Sequence, residues 1–187
     1  MTPTFTVTAR TPLQAQCQID TPLGPMTLVA THEGLAGAWF EGQRHHPGPL
    51  ALPNDPTQRW LRQAREELGA YWRHVEPGAG AGAIVFSVPL ALTGTPFQQQ
   101  VWQALLGIAP GGTRSYGELA AQLGRPQAAR AIGAAVGRNP VSIIVPCHRV
   151  LGRLGALTGY AGGLARKQAL LDHEGATQAA LHFTPPS

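Results

Sequence analysis

The 187-residue chain has little cysteine, little charge and no long uninterrupted hydrophobic stretch. Its two cysteines, Cys17 and Cys147, are too few for a disulfide framework, so we expect both to be reduced. No apolar run is long enough to cross a bilayer, and residues 1–10 lack the basic and then apolar pattern of a secretory leader. These absences exclude a disulfide-rich or membrane-spanning protein and favour a cytoplasmic one.

The first half also lacks the short, fixed ligand spacing of structural zinc sites. Its potential ligands are one cysteine and four histidines, namely Cys17, His32, His45, His46 and His74. No pair among them shows that spacing, so we predict scattered surface histidines and no metal site.

Charged residues make up only 13% of the chain, and they are unevenly distributed. Residues 97–187 carry eight basic residues against three acidic ones, a balance of +5, whereas residues 1–96 carry six against seven, a balance of −1. A basic half suits a polyanionic partner such as DNA. A solvated charged face is the alternative interpretation.

The first ninety residues predict a small α+β scaffold. Two apolar runs, Met26–Ala30 and Leu35–Phe40, predict a β-hairpin with Gly34 at its turn. A helix is predicted to begin at Asp55 and Pro56. Its apolar face is formed by Trp60, Leu61, Ala64, Leu68, Tyr71 and Trp72. Residues 84–88 predict a further strand.

Residues 93–175 predict mainly helices. Thr95 and Gln98 predict one helix start, and Ser115 and Glu118 form a capping box that predicts a second. After a glycine turn, Pro126 predicts a third helix that continues to about residue 136. Two short helices joined by such a turn form a helix-turn-helix.

The second helix of this pair carries almost only small residues, namely Ala128, Ala129, Ala131, Gly133, Ala134 and Ala135. Such a helix suits either a closely packed core or a close approach of backbone to a nucleic-acid groove. It lacks the long polar side chains that read base edges, which disfavours sequence-specific gene regulation.

The most reactive side chains follow an apolar run, Val141–Val145, that stops at Pro146. Because proline disfavours helix here, Cys147 is expected in an extended or turn conformation, where sites are often built. The thiolate is the reactive form, and a neighbouring base favours it. His148 points away from Cys147 in an extended segment, so we expect a bridging water between them.

A carboxylate near the end of the chain is the candidate partner of His148. Glu174 follows Leu171 and Leu170 by three and four residues, which places it on the apolar side of the last predicted helix. A carboxylate in that position should be paired. The alternative is an exposed residue before a Gly175 cap.

The run Pro146-Cys147-His148-Arg149-Val150 resembles the signature of the O6-alkylguanine-DNA alkyltransferase family. The resemblance extends from about Phe97 to Gly175. Its other motifs are Asn139-Pro140, Gly159-Tyr160-Ala161-Gly162-Gly163-Leu164 and His173-Glu174-Gly175. It implies an α+β protein with a ribonuclease H-like α/β domain in residues 1–92 and a winged-helix-like, mainly helical domain in residues 93–175. Residues 176–187 would form a flexible tail.

The resemblance implies DNA repair by one irreversible transfer of an alkyl group from O6-alkylguanine to Cys147, with O4-alkylthymine left open as a second substrate. Double-stranded DNA would be bound through its minor groove and the damaged base flipped out. No cofactor, membrane or obligate protein partner is expected, and the protein should be a monomer. An alkylated cysteine is a stable thioether, so each molecule would act once.

The same resemblance implies roles for individual residues. Cys147 would accept the alkyl group, His148 would act as base through water, Glu174 would hold the histidine, and Asn139 would stabilise the loop. Tyr116 would help to rotate the nucleotide, and Arg130 would fill the space left by the flipped base. Further substrate or DNA contacts would come from Ser115, Ala129, Gly133, Arg149, Val150, Tyr160 and Ala161. The small residue at Ala161 implies a pocket that tolerates alkyl groups larger than methyl.

Three other functions are compatible with parts of this pattern. One is a lesion-flagging protein, which binds alkylated bases without transferring the alkyl group. Such proteins lack the acceptor cysteine, whereas this chain has Cys147. A cysteine hydrolase would need a histidine in direct contact with sulfur. A methyl-responsive transcription factor would need a second acceptor, for which Cys17 is the candidate.

Overall fold

The computed structural model describes residues 5–6, 11–73 and 86–176. Within them, one sheet contains the strands β1 (Phe5–Thr6), β2 (Ala15–Ile19), β3 (Met26–Ala30), β4 (Leu35–Phe40) and β5 (Leu90–Ala91). Their spatial order is β1-β5-β4-β3-β2, with β2, β3 and β4 antiparallel and β5 parallel to both of its neighbours. The predicted hairpin is confirmed with the predicted bounds of both strands.

Helix α1 (Arg59–Arg73) packs on this sheet, but it begins later than predicted. The Asp55 carboxylate accepts the N–H of Thr57 and so closes a turn before the helix. The Gln58 side chain accepts the N–H groups of Trp60 and Leu61 and thereby caps the first turn. Four residues of the predicted apolar face are buried, namely Leu61, Ala64, Leu68 and Tyr71, and the other two, Trp60 and Trp72, are partly buried against the core.

The strand predicted at residues 84–88 falls partly outside the described residues. Residues 86–88 form no strand, although the side chains of Phe86 and Val88 are buried. The strand of this segment is Leu90–Ala91. The carbonyl of the preceding residue, Pro89, accepts the N–H of Leu35 and so connects this strand to the start of β4.

The second half is mainly helical, as predicted. Helix α2 (Pro96–Leu105) and helix α3 (Tyr116–Gln122) both begin where predicted. A capping box starts each of them, formed by Thr95 with Gln98 and by Ser115 with Glu118. Strand β6 (Arg114–Ser115) directly precedes α3. A glycine in the left-handed region and a 3-10 turn over residues 126–128 lead to helix α4 (Ala129–Gly137).

One face of helix α4 packs on the core, and its opposite face is exposed to solvent. Ile132, Ala135 and Val136 are buried, and the indole N–H of Trp102 on α2 donates to the carbonyl of Ala135 at 2.9 Å. The outward residues Arg130, Ala131 and Ala134 are exposed. The core interpretation is therefore confirmed for one face, and a small, accessible surface remains on the other.

The segment before Cys147 lies against the N-terminal sheet. Ala38 on β4 donates its N–H to Pro140 at 2.9 Å and accepts the N–H of Ser142 at 2.8 Å. Ile143 follows with φ +73°, a strained backbone conformation for a β-branched residue. The chain then forms a 3-10 turn over Cys147–Arg149.

Strand β7 (Val150–Leu151) and helix α5 (Leu164–His173) are the last strand and the last α-helix of the described residues. Strand β7 pairs with β6 in parallel, which joins the cysteine turn to the start of the helix-turn-helix. No helix among the described residues is long and apolar enough to cross a membrane.

Gly34 tests how closely β4 and β5 approach. A Cβ at Gly34 would lie 2.4 Å from the carbonyl oxygen of Pro89, which is backbone and cannot move freely. We expect Gly34→Ala to lower the free energy of unfolding by about 1–3 kcal/mol in urea titrations. The matched change Gly137→Ala, where a Cβ meets nothing within 4 Å, should leave stability unchanged or raise it by up to about 1 kcal/mol. Equal losses in the two variants would contradict this account.

Candidate active site

The Cys147 thiol is buried, and a single amide side chain orders the loop around it. The side-chain N–H₂ of Asn139 donates to Cys147 Sγ at 2.9 Å and to the carbonyl of Val145 at 2.8 Å. The side-chain oxygen of Asn139 accepts the N–H of Val141 at 3.0 Å. Asn139 therefore fixes both ends of the segment that delivers the thiol and also contacts the sulfur.

The environment of the sulfur favours a thiol until a base takes its proton. Burial raises the pKa of Cys147 to about 11, although the Asn139 hydrogen bond and the positive charge of Lys167 oppose this rise. Because the thiolate is the nucleophile, the site needs a proton acceptor nearby.

The neighbouring residue His148 is the candidate acceptor, and it is fully buried. Its Nε2 lies 2.9 Å from Glu174 Oε1, and because an ionised carboxylate only accepts, Nε2 carries the hydrogen and Nδ1 has a free lone pair. Nδ1 has no hydrogen-bond partner in the described parts of the chain, so the ring does not bond directly to Cys147. Burial lowers the pKa of His148, so the ring is a neutral base.

Glu174 is buried at the end of α5 and accepts four hydrogen bonds. Its Oε1 accepts from His148, from the Tyr71 hydroxyl at 2.9 Å and from Arg149 Nη2 at 2.8 Å, and its Oε2 accepts from Arg149 Nε at 2.7 Å. Burial alone would raise the pKa of Glu174, but the hydrogen bonds and charges of His148 and Arg149 hold it well below the usual range. The predicted pairing is confirmed, and the exposed alternative is wrong.

The expected DNA contact of Arg149 needs correction. Its guanidinium is buried, pairs with Glu174 and donates through Nη1 to the carbonyl of Ile108. These hydrogen bonds direct the Arg149 guanidinium into the protein interior. The Val150 side chain is also fully buried, and the carbonyl of this residue accepts from Lys167. Both side chains are therefore buried in the protein interior.

Lys167 is a site residue that the sequence analysis did not identify. It is fully buried on α5, and its Nζ donates to the carbonyls of Val150 at 2.5 Å and Thr158 at 2.6 Å. Desolvation lowers the pKa of Lys167 to about 8, and the Cys147 sulfur opposes that shift. Lys167 lies three and four residues before the buried Leu170 and Leu171, and this helical spacing indicates that Lys167 is on the buried face of α5.

A loop over residues 156–163 lies beside the thiol and is held from two sides. The Tyr116 hydroxyl donates to the carbonyl of Gly159 at 3.2 Å, and the carbonyl of Ala161 accepts the N–H of Arg44 at 2.9 Å. The Tyr160 hydroxyl is buried, and burial raises its pKa well above the ordinary value. A Cβ on Gly133 would lie 3.7 Å from the Tyr116 ring, so α4 packs directly behind this tyrosine.

The remaining predicted positions lie on the helix-turn-helix surface. Arg130 is exposed on α4. Its sequence neighbour Ala129 is half-buried, and so is Ser115, the N-cap residue of α3. The structure thus brings Cys147, Asn139, His148 and Glu174 together, while Arg130 lies outside that cluster. No group of three or more metal-ligating side chains occurs among the described residues, and His74 lies outside them.

The buried ion pair predicts an acid-sensitive contribution to stability. The folded-state pKa of Glu174 is depressed, so its stabilisation is present above the unfolded value of about 4.3 and is lost as pH falls below it. Glu174→Gln should cost about 3–5 kcal/mol at pH 7, because Arg149 loses its buried partner. The gap from the unmodified protein should narrow steadily below pH 5 in urea titrations.

The matched change Glu66→Gln, on the exposed side of α1, should produce no such pH-dependent gap. A Glu174→Gln gap that stays constant from pH 7 to pH 3 would contradict an ionised, buried Glu174.

Comparisons with known proteins agree with this geometry. A family model described as the 6-O-methylguanine DNA methyltransferase, DNA binding domain matches residues 96–176. A methylated-DNA–protein-cysteine methyltransferase of Salmonella typhimurium is 63% identical over 160 residues, which cover 84% of this chain and 94% of the relative. One of Mycobacterium tuberculosis is 48% identical over 157 residues, which cover 83% and 89%.

Solved structures show the same relationship. The M. tuberculosis O6-methylguanine methyltransferase matches with a TM-score of 0.74 at 45% identity, over 88% of this chain and 94% of that one. A structure of the M. tuberculosis protein in complex with DNA matches with the same score and identity, over 89% and 97%. A 23% identical protein from Pyrococcus kodakaraensis, with a TM-score of 0.54 over 86% and 98%, shares the fold.

With two curated relatives that are each more than 45% identical across most of both chains, this chain belongs to the family of methylated-DNA–protein-cysteine methyltransferases.

Proposed function

We propose that this protein repairs DNA by transferring an alkyl group from O6-alkylguanine to its own Cys147, irreversibly and once per molecule. One observation carries the proposal: a buried thiol held by Asn139 stands next to the buried His148–Glu174 pair. The family membership of the chain supplies the substrate class. O4-alkylthymine would be a second substrate of the same chemistry.

The proposed reaction balances without a cofactor. Cys147 Sγ attacks the alkyl carbon, a sulfur–carbon bond forms, and the bond from that carbon to O6 breaks with its electron pair left on the guanine. The proton that leaves Sγ passes through water to Nδ1 of His148. The guanine anion takes one proton from water, and the imidazolium returns its proton to that water, so no net proton is gained or lost. The product is a thioether without a polarised carbonyl, so water cannot release the cysteine.

The residues around the sulfur have distinct proposed roles. Cys147 is the nucleophile and His148 the base, whereas Glu174 fixes the histidine tautomer through its contact with Nε2. Asn139 orders the loop and donates to Sγ, which favours the anion that forms there. Lys167 contributes a buried positive charge to the same anion.

The proposed partner is double-stranded DNA, bound through its minor groove by α4. The exposed face of α4 carries Arg130 between small residues, which lets backbone and groove approach closely. Extrusion of the damaged base is required because the thiol is buried, and unstacking costs only a few kcal/mol. Tyr116 would guide the nucleotide, and Arg130 would fill the gap that it leaves.

The base pocket would lie under the loop over residues 156–163. Its small residues, Gly159 and Ala161, leave room next to the half-buried Tyr160. We propose that this room accommodates alkyl groups larger than methyl. The protein is proposed to act as a cytoplasmic monomer, with no partner protein needed for the chemistry.

The finer fold assignments belong to the same proposal. Residues 1–92 would form a ribonuclease H-like scaffold domain, and residues 93–175 a winged-helix-like domain for DNA binding and transfer. The change from the mixed sheet to helices between β5 and α2 supports this boundary. The tail predicted at residues 176–187 lies almost wholly outside the described residues.

Three alternatives fit the geometry less well. A lesion-flagging protein would not need a thiol with a positioned base, and Cys147 has one. A cysteine hydrolase would need a direct contact between the sulfur and the histidine, whereas Sγ accepts from Asn139 and Nδ1 of His148 has no partner in the described ranges. The second acceptor of a methyl-responsive regulator would be Cys17, which is buried in β2.

Mass spectrometry tests the transfer directly. Protein mixed with a duplex carrying one O6-methylguanine should gain one methyl group on the Cys147 peptide, saturating at one per molecule. Cys147→Ser should gain none, because a serine hydroxyl is a far weaker nucleophile, while the Cys17 peptide of the unmodified protein stays unmethylated. Tight lesion binding with an unmodified Cys147 would instead favour the lesion-flagging function.

Arg130→Ala tests base extrusion separately from chemistry. We expect the single-turnover rate on duplex DNA to fall about tenfold, equivalent to about 1.4 kcal/mol, because nothing fills the gap in the base stack. The rate with a free O6-alkylguanine base, which needs no extrusion, should not change. Arg62→Ala, at an exposed position on α1, should leave both rates intact. An equal loss on both substrates for Arg130→Ala would assign Arg130 to the fold or to the chemistry.

A further inference from the structure

We propose that Tyr71 is a positioning residue for alkyl transfer. Its hydroxyl donates to the Glu174 oxygen that also accepts from His148, so the N-terminal half of the chain sets the orientation and basicity of the base. This inference rests on the proposed function, since it concerns the same reaction. The inference gives α1 a part in the chemistry. The sequence pattern does not suggest this part, because it places Tyr71 on an apolar helix face.

The contact is direct and buried. The Tyr71 hydroxyl lies 2.9 Å from Glu174 Oε1, across 103 positions of sequence, and the Tyr71 side chain is 3% exposed. The same Oε1 lies 2.9 Å from His148 Nε2 and 2.8 Å from Arg149 Nη2. Three donors therefore share one carboxylate oxygen, and each limits how the other two can approach it.

The ring of Tyr71 is held where its hydroxyl can only point at the carboxylate. It packs edge-on against Trp72 at 5.0 Å and lies 5.8 Å from Phe86 and 4.7 Å from His173. The backbone carbonyl of Tyr71 also contacts His173 Nε2 at 2.9 Å, which attaches the end of α1 to α5 one residue before Glu174. A rigid donor of this kind fixes the rotation of the Glu174 carboxylate.

The phenol can act only as a donor here. Burial and the neighbouring Glu174 charge raise the pKa of Tyr71 well above its ordinary value, so the hydroxyl keeps its proton at neutral pH. Glu174 and Arg149 are charged groups that face it, and the Tyr160 phenol and the His173 imidazole are further titratable neighbours. A neutral donor bonded to an anion spreads and weakens the negative charge that the other partners experience.

That redistribution bears on His148. Glu174 raises the basicity of the ring, whereas burial, Arg149 and Lys167 lower it. Cys147, in the same 3-10 turn, and the Tyr160 phenol are further titratable neighbours of the pair. Because Tyr71 takes part of the Glu174 charge, it keeps His148 neutral and ready to accept a proton near neutral pH. Without the hydroxyl, Glu174 would hold the imidazolium more strongly.

Tyr71→Phe tests the inference, because phenylalanine keeps the ring and its packing and removes only the donor. The single-turnover rate of methyl transfer at pH 7 should fall about two- to tenfold, the usual range for one hydrogen bond. The acidic limb of the rate profile should move to higher pH, and DNA affinity should not change. In the DNA-free protein, the His148 ring should titrate at higher pH by NMR, with its resonance assigned through its loss in His148→Gln.

Two further proteins separate positioning from packing. Trp72→Phe disturbs the same aromatic cluster without touching Glu174, so its rate profile and His148 titration should match those of the unmodified protein. Replacing Tyr71 with 3-fluorotyrosine retains the hydroxyl as a stronger donor and should move the His148 titration in the opposite direction, to lower pH. This variant decides the question even if Tyr71→Phe folds poorly.

The outcomes distinguish this inference from the proposed function. An unmodified protein that methylates Cys147, combined with unchanged His148 titration in both Tyr71 variants, would overturn the role of Tyr71 and leave the repair function intact. Shifted titrations in a protein that transfers no methyl group would retain the Tyr71–His148 coupling and overturn the function.

Discussion

One buried carboxylate organises the reactive end of this protein. Glu174 brings a negative charge into the interior, which is tolerable only where donors surround it. Its partners come from distant parts of the chain: Tyr71 from α1, and His148 and Arg149 from the cysteine turn. Satisfying Glu174 therefore requires α1, α5 and the cysteine turn to meet, and that meeting places a neutral histidine beside the thiol.

The loop that carries Cys147 is held in a conformation that it would not adopt alone. Ile143 has a left-handed backbone, which costs of order 1–3 kcal/mol for such a residue. Hydrogen bonds from Asn139 and the contacts of Pro140 and Ser142 with Ala38 on β4 compensate for that cost. The N-terminal sheet is thus part of the support of the thiol, because the strained loop lies directly on its β4 strand.

The helix-turn-helix reaches the same thiol from the other side. Its α4 uses Ala135 and Ile132 to pack on the core, and Gly133 lets the Tyr116 ring lie close behind the loop over residues 156–163. The small residues of α4 therefore have two effects. They permit tight packing on the buried face, and on the exposed face they leave no bulky side chains around Arg130. A bulkier helix could achieve one of these effects only at the expense of the other.

The sequence by itself determined the local features. The two capping boxes, the hairpin and the apolar faces of the helices depend on neighbouring residues, and the Cys147 motif is contiguous, so all were predictable. What only the tertiary structure decided concerns charges and contacts between distant segments. Arg149 looked like a DNA contact but is buried against Glu174, and Lys167 and Tyr71 looked like ordinary helix residues. Burial and partners that lie 17, 25 and 103 positions away, for Lys167, Arg149 and Tyr71 respectively, set those roles, and no local pattern encodes them.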